Sequence, residues 1–508
     1  MNAAKGVTER FLVVGAGFSG SLIAAILTCG GKQVTLIDRQ RHPRFMIGES
    51  STPTASLILQ KLIDQYDLSE LQPLTCYGDW VRELPGLDRG VKRGFSYFFH
   101  QAGRELSITD NHDHDLLVAA SATMEVADTQ WFRADVDQFL CDYASRLGVQ
   151  VRQEVALIQL ERGQMDDGWI ATLKGSDGST ELIEADWIID ASGHSEAMTQ
   201  ILDLPRGQND SLQTNTSTVF SHFEHVRSWD SQLTLMGQST VDFPFPSDDA
   251  AQHHVWKDGW LWCLRFDQGR TSAGMVLNHQ SGERFDDSWD AERVWNTVLD
   301  SYPGLRRMFQ SAQLSKQPGE YIKTQRLQRI ATQVSGPGWV SLPHTAGFID
   351  PLHSTGIAHA MSGIERLADI FLSADACVQN KLDRYAKQVL EEFHLIDLLV
   401  AGCYRALPSK RHFEAFCMLY FAAATSYENR YGKSDADISS HQIFLAEDQK
   451  WVALVQEAYE QICQIAHSQN WGEPATFESF IREKIKPYNH VGLCDPQRAS
   501  MYRYTALP

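Results

Sequence analysis

Positive charge, paired cysteines and long apolar runs are all scarce in this 508-residue chain. Its 45 lysines and arginines face 64 aspartates and glutamates, leaving a formal net charge of -19 and a pI near 5.4. A surface of that sign repels a nucleic-acid backbone or an anionic lipid face, so neither nucleic acid nor membrane is expected as a partner. The nine cysteines are scattered, odd in number and contain no C-x-x-C pair. That spacing points to reduced thiols in the cytoplasm and to no cysteine-type metal site. The longest apolar stretches, such as residues 22–27 and 395–403, fall well short of the roughly 18 to 20 residues that cross a bilayer. The first residues run from a charged stretch straight into a strand-like segment, unlike a secretory leader. There is no fixed-period repeat and no low-complexity tract. With 43% hydrophobic and 21% charged residues, the composition is that of an ordinary globular protein.

The pattern that is present divides the chain in three. Residues 10–38 read strand, Gly-rich turn, helix, strand, and a second helix-to-strand passage ends on the apolar run 187–193. Between about 205 and 330, short alternating runs predict an antiparallel sheet. From about 356 onward, apolar residues recur at three- and four-residue spacing, which predicts helices. The expected fold is α/β, with a Rossmann-type nucleotide-binding domain over 1–204 plus 330–365. A substrate-side β-sheet fills 205–329, and a helical region over 366–508 covers the substrate site.

Gly15, Gly17 and Gly20 form G-x-G-x-x-G around Phe18 and Ser19, after a strand and at the mouth of a helix; Asp38 ends the next strand. The first glycine permits a tight turn, the second lets backbone approach a pyrophosphate, and the third lets helix and strand pack closely. The helix N-terminus attracts the anion, and Asp38 would accept bonds from a ribose. These residues fit NAD or FAD equally. Asp190, in the strand-end run Asp190-Ala191-Ser192-Gly193, and Arg133, leading a helix, resemble the accessory motifs of two-domain FAD monooxygenases and their relatives, which favours FAD. Each has a plainer reading: Asp190 as a cap after a buried strand, Arg133 as half of a surface salt bridge.

Five segments in order resemble the flavin-dependent halogenases, above all the branch acting on phenolic rings. The first is the glycine fingerprint. The second, residues 47–53, carries Glu49 and Ser50 and is similar to the family's flavin-lining G-E-x-x-x-P. The third, residues 91–99, places Lys92 where the family has its catalytic lysine; without the resemblance it would read as a solvated strand-edge charge. The fourth, residues 259–265, is close to W-x-W-x-I-P, so Trp260 and Trp262 are implied to separate flavin from substrate, although two aromatics on one face of a core strand would look the same. The fifth, residues 346–357, is similar to the flavin and halide segment. Backbone N–H groups of Thr355 and Gly356 are implied to hold halide, with Ile357 against the flavin. Val155 joins the implied FAD contacts.

Three departures stand out. Arg265 replaces the proline of the tryptophan motif. Pro343-His344 stands where many flavoproteins have Gly-Asp, leaving His344 to contact flavin through its backbone. His353 occupies the position of the glutamate found in tryptophan-type enzymes, which argues against a tryptophan-type site; by itself it reads as a hydrogen-bonded interior histidine. The resemblance implies that reduced FAD, oxygen and chloride or bromide yield hypohalous acid, which Lys92 delivers to an electron-rich aromatic. No second nucleotide fingerprint of comparable quality is present, so a separate NAD(P)H-dependent flavin reductase is the implied partner. An FAD monooxygenase of the same fold, or a flavin-binding protein without turnover, remains the alternative. Phe413, Phe416, Tyr420 and Phe421 form an aromatic stripe expected to be helix core and able to line a pocket.

Overall fold

The computed structural model describes residues 8–505 apart from 164–167, 208–210, 282–284, 286–287, 374–376 and 433–440. Strand β1 (Arg10–Val14) lies at the heart of a six-stranded sheet, between β2 (Gln33–Asp38) and the strand Trp187–Asp190. Both neighbours run parallel to β1, as do the further strands Gln150–Gln153 and Trp339–Ser341 to theirs. Helix α1 (Phe18–Cys29) crosses between β1 and β2, and α2 (Pro53–Tyr66) follows β2. This is the expected nucleotide-binding architecture. The almost unbroken apolar character of β1 follows from burial on both faces.

A small antiparallel sheet covers residues 155–185, and a nine-stranded sheet forms the second layer. The large sheet is not confined to 205–329. It also takes in β4 (Gly94–Phe99) and β5 (Asp115–Ala119) from the N-terminal part, and Met501–Tyr502 from the other end of the chain. Its later strands are β7 (Thr216–Glu224), β8 (Ala251–Trp256), β9 (Gly259–Arg265) and β10 (Arg270–Asn278). The pairing of β8 with β4 is parallel, so the sheet is mixed. Strands so far apart in sequence join it because β3 (Arg89–Lys92) and β6 (Asp128–Trp131) pair with each other as a separate ribbon beside it.

Period-two alternation explains how the large sheet is used. Phe95 and Tyr97, with Trp260 and Trp262, face the main core, whereas Phe98, Leu261 and Cys263 face a second core built on Trp229, Trp295 and Phe309. The C-terminal region is helical as its periodicity predicts. Helix α3 (Arg133–Arg146) belongs to the nucleotide-binding part; α4 (Thr355–Leu372), α5 (Val378–Ala406), α6 (Lys410–Tyr431), α7 (Gln449–Ser468) and α8 (Pro474–Ile485) follow. A buried network ties α4 to α5: Glu392 accepts from Arg366 Nη2 at 2.9 Å and lies 2.9 Å from His359 Nε2. Among the described residues, no helix is long and apolar enough to cross a membrane.

Candidate active site

The Gly-rich turn has the geometry its sequence requires. Gly15 has φ +107°, and a Cβ there would fall 2.4 Å from the Ala191 carbonyl oxygen; a Cβ on Gly20 would fall 1.9 Å from that of Gly15. Gly17 is different: a Cβ there would meet nothing closer than 3.6 Å. Asp38 accepts from the Ala16 N–H at 2.9 Å and from Arg44 Nη2 at 3.1 Å, so its carboxylate braces the turn. The Phe18 N–H donates to Asp137 Oδ1 at 3.1 Å. Arg133 is no surface salt bridge. It is buried, holds both oxygens of Asp137 at 2.7 and 2.9 Å, donates to the Ile47 and Gly48 carbonyls and lies over the Phe18 ring. It therefore clamps the Ile47–Gly48 backbone to the head of α1.

Asp190 accepts from the N–H groups of Ser192 and Met198 at 2.9 and 2.8 Å, which is a strand-end cap. Val155 opens the small sheet next to Glu154, whose N–H reaches the Gln40 carbonyl near the end of β2. His344 Nε2 lies 3.2 Å from both Ser19 Oγ and the Ala191 carbonyl, while its own carbonyl accepts from Arg329. Burial pushes this imidazole down to about 4, so it is neutral. Its Nδ1 is buried without a hydrogen-bond partner.

The second and fifth segments meet through Ser50 and Ser354, whose hydroxyls are 3.1 Å apart. Ser354 adopts φ +53° just before α4 and does not cap it, so the first-turn N–H groups of this 18-residue helix, at Thr355 and Gly356, are free of a side-chain cap. An uncapped helix N-terminus favours an anion. A Cβ on Gly356 would meet no atom within 4 Å, and Ile357 beside it is buried. Glu49 is buried with Oε1 3.0 Å from His222 Nε2.

Lys92 is fully enclosed, at 1% exposure, and is no strand-edge charge. Its Nζ donates to the Ser51 carbonyl at 2.5 Å and sits 4.3 Å from the Phe95 ring centre. Asp128 stands directly across the ribbon from it. Burial lowers the lysine and Asp128 opposes that; burial raises Asp128, with Lys92 and the Ser56 hydroxyl opposing. Phe95 also bounds a cavity of about 30 Å³, together with Thr54, Tyr420, Phe421 and Glu428. The aromatic stripe is thus divided: Tyr420 and Phe421 line the cavity, whereas Phe413 packs on Tyr97 and Phe416 on Phe477.

Trp260 and Trp262 lie with ring centres 6.1 Å apart, both buried. Trp260 donates to Tyr404 at 2.7 Å, and Tyr404 donates to Asp350 at 3.0 Å, fixing the tryptophan to the segment that leads into α4. Arg265 explains the missing proline. Its guanidinium reaches Asp248 at 3.0 Å and the Val226 and Arg227 carbonyls at 2.8 and 2.6 Å, so a side-chain clasp holds the strand end that proline would stiffen. His353 is buried, stacks on Tyr420 at 4.3 Å and is pushed down to about 3 by burial, which makes it a neutral interior histidine. The fold also gathers His353, Cys403 and Cys417 with their donor atoms within 4.8 Å of one another, although no C-x-x-C spacing announces it.

The family model of the tryptophan halogenases matches residues 130–416, more than half of the chain. The chain belongs to the tryptophan halogenase family. It is 29% identical over 363 residues to the tetracycline 7-halogenase of Kitasatospora aureofaciens, covering 70% of this chain but 62% of that relative. It is 26% identical over 423 residues to the monodechloroaminopyrrolnitrin halogenase PrnC of Pseudomonas fluorescens, covering 80% and 70%. In structure it matches halogenase PltM, solved in complex with phloroglucinol and FAD, with a TM-score of 0.85, 21% identity and coverage of 98% of this chain and 100% of that one. That likeness establishes the fold. FAD goes with the family, and the residues fit it: the unpartnered His344 Nδ1, the open approach at Gly17 and Gly356, and the two helix N-termini are features a bound flavin nucleotide would complete.

Asp128, Asp137, Thr54 and Glu428 were not among the residues anticipated from sequence. A buried carboxylate opposite a lysine leaves no local signature, and only the strand pairing reveals Asp128.

Proposed function

We propose that this protein halogenates a small phenolic ring, using reduced FAD, oxygen and chloride or bromide. The observation that carries the proposal is Lys92, a buried cation site bonded to the flavin-lining segment on one side and backed by the aromatic wall of a cavity on the other. The flavin, when bound, supplies the oxidation of halide to hypohalous acid. Thr355 and Gly356 offer uncapped N–H groups for the halide, while Trp260 and Trp262, buried in the main core, would wall the flavin off from the ring. Lys92 donates a hydrogen bond to the oxidised halogen species and orients it toward the ring. Enclosure keeps water away from a reactive oxidant.

A phenol supports this reading because its own oxygen activates the ring, and position 353 holds a neutral histidine in place of a carboxylate. The structural neighbour PltM was solved with phloroglucinol, itself a small phenol. A separate flavin reductase supplies reduced FAD.

The test is product mass spectrometry with FAD, a flavin reductase, NADH, bromide or chloride and a panel of phenols, run beside Lys92→Ala. A halogenated product that disappears in the variant, while flavin binding survives, supports the reading. Hydroxylated product without halide dependence overturns it in favour of a monooxygenase.

A further inference from the structure

Glu428 is the one acid on the wall of the cavity that Phe95 bounds. It projects from α6, 374 residues away in sequence from the Thr54 hydroxyl that donates to its Oε1 at 2.7 Å. No lysine, arginine or histidine among the described residues forms an ion pair with it. Asp128, of the same sign, adds to burial in pushing the Glu428 carboxyl up to about 8. A carboxyl so placed costs the fold stability, and the hydrogen bonds it receives in return come from Thr54. The rest of the wall is aromatic or aliphatic, with threonines at Thr52, Thr54, Thr425 and Thr505. As it stands the cavity, about 30 Å³, is close to the size of one water, so a ring must part the side chains around it. The polar groups then decide which ring is admitted.

We propose that Glu428 is a substrate-binding residue that accepts a hydrogen bond from a ring hydroxyl, and so selects uncharged hydroxylated aromatics over their ethers and over rings bearing an anionic group. This rests on the halogenase reading above and extends it to the chemistry of the ring. Phe95 is common to both functional groups: its ring lies 4.3 Å from Lys92 Nζ and also bounds the cavity that Glu428 lines, so a ring anchored at Glu428 by its oxygen would lie against the same aromatic wall as the lysine.

The test compares binding of phloroglucinol with that of its trimethyl ether by calorimetry, in the parent protein, Glu428→Gln and Glu428→Leu. The parent is expected to prefer the phenol by about tenfold or more, the worth of a hydrogen bond to a carboxyl. Glu428→Leu is expected to abolish that preference while melting no lower than the parent, because it removes a desolvated acid; Glu428→Gln should be intermediate. A Leu variant that folds and keeps the parent's preference overturns the proposal. Should Leu not fold, the Gln variant decides by the same comparison, with an unchanged preference again overturning it. Hypohalous acid caught by a freely diffusing trap is measured separately with reduced FAD and bromide. Its absence in the parent would sink the halogenase reading without touching the binding result, and its persistence in both variants places the defect at the ring.

Discussion

Replacing Asp128 by asparagine tests the charge on Lys92 directly. The substitution keeps the size of the side chain and its contact with the Ser56 hydroxyl, and removes the carboxylate that favours the ammonium. The two residues face each other across a strand pair, which puts their charges about 6 Å apart. With an effective dielectric of about 20, Coulomb's law gives about 3 kcal/mol, or about 2 pH units of support for the cation. Burial has already drawn Lys92 down to about 7. Without Asp128 its pKa should fall further, by the same arithmetic of about 2 units. At pH 7 the ammonium fraction then drops from about a half to about one per cent, and a reaction that needs the ammonium slows about 50-fold. The assay is the initial rate of phenol halogenation across about pH 5 to 9, with flavin binding titrated alongside. The alkaline limb should move down by about 2 units while flavin affinity holds. A rate that falls equally at every pH would refute the assignment of Asp128 as the group that sets the lysine's charge. A rate that rises at neutral pH would show that the free amine, through a haloamine, is the working form.

Arg265→Pro restores the family's motif but removes a guanidinium bonded to Asp248 and two carbonyls; it should destabilise the protein by about 3 kcal/mol, read as a lowered Tm with halogenation per folded molecule unchanged. Gly356→Ala meets no protein atom, so its unfolding free energy should stay within about 0.5 kcal/mol of the parent's while the KM for bromide rises about tenfold. Arg366→Met strips the buried Glu392 of its cationic partner and should cost about 3 to 5 kcal/mol in chemical denaturation. Arg366 and His359 hold Glu392 below the ordinary glutamate value of 4.5, so their stabilisation is fully present above that pH and is lost as pH falls through the lower, folded value. The gap between parent and variant should therefore narrow on acidification.

What could be read from the sequence was whatever the backbone demands locally. Gly15 and Gly20 are fixed by close approach and a positive φ, and such needs survive in any fold that uses the turn. The helices after residue 356 follow from periodicity, since each buries one stripe. Lys92 could be located only through the family, because a lysine on a strand reads as solvated until the ribbon of β3 and β6 closes over it. The large sheet exceeded its expected limits for a related reason. Strands β4 and β5 look like any alternating run, and nothing local says that their partner lies more than 150 residues on.

Carboxylates were the hardest to foresee. Asp128, Asp137 and Glu428 sit on a strand and two helices where a polar residue would normally face solvent, and each acquires its role from a partner brought in by the fold. Two of them are explained by the cations they meet: Asp137 by Arg133 and Asp128 by Lys92. Glu428 meets no cation and shares its surroundings with another acid. A fold has no use for such a group, and natural sequences discard costs of that kind readily by mutation to leucine or methionine. Its place on a cavity wall suits a partner that arrives from outside the chain, and a ring hydroxyl is the donor that the neighbouring lysine chemistry would have reason to bring there.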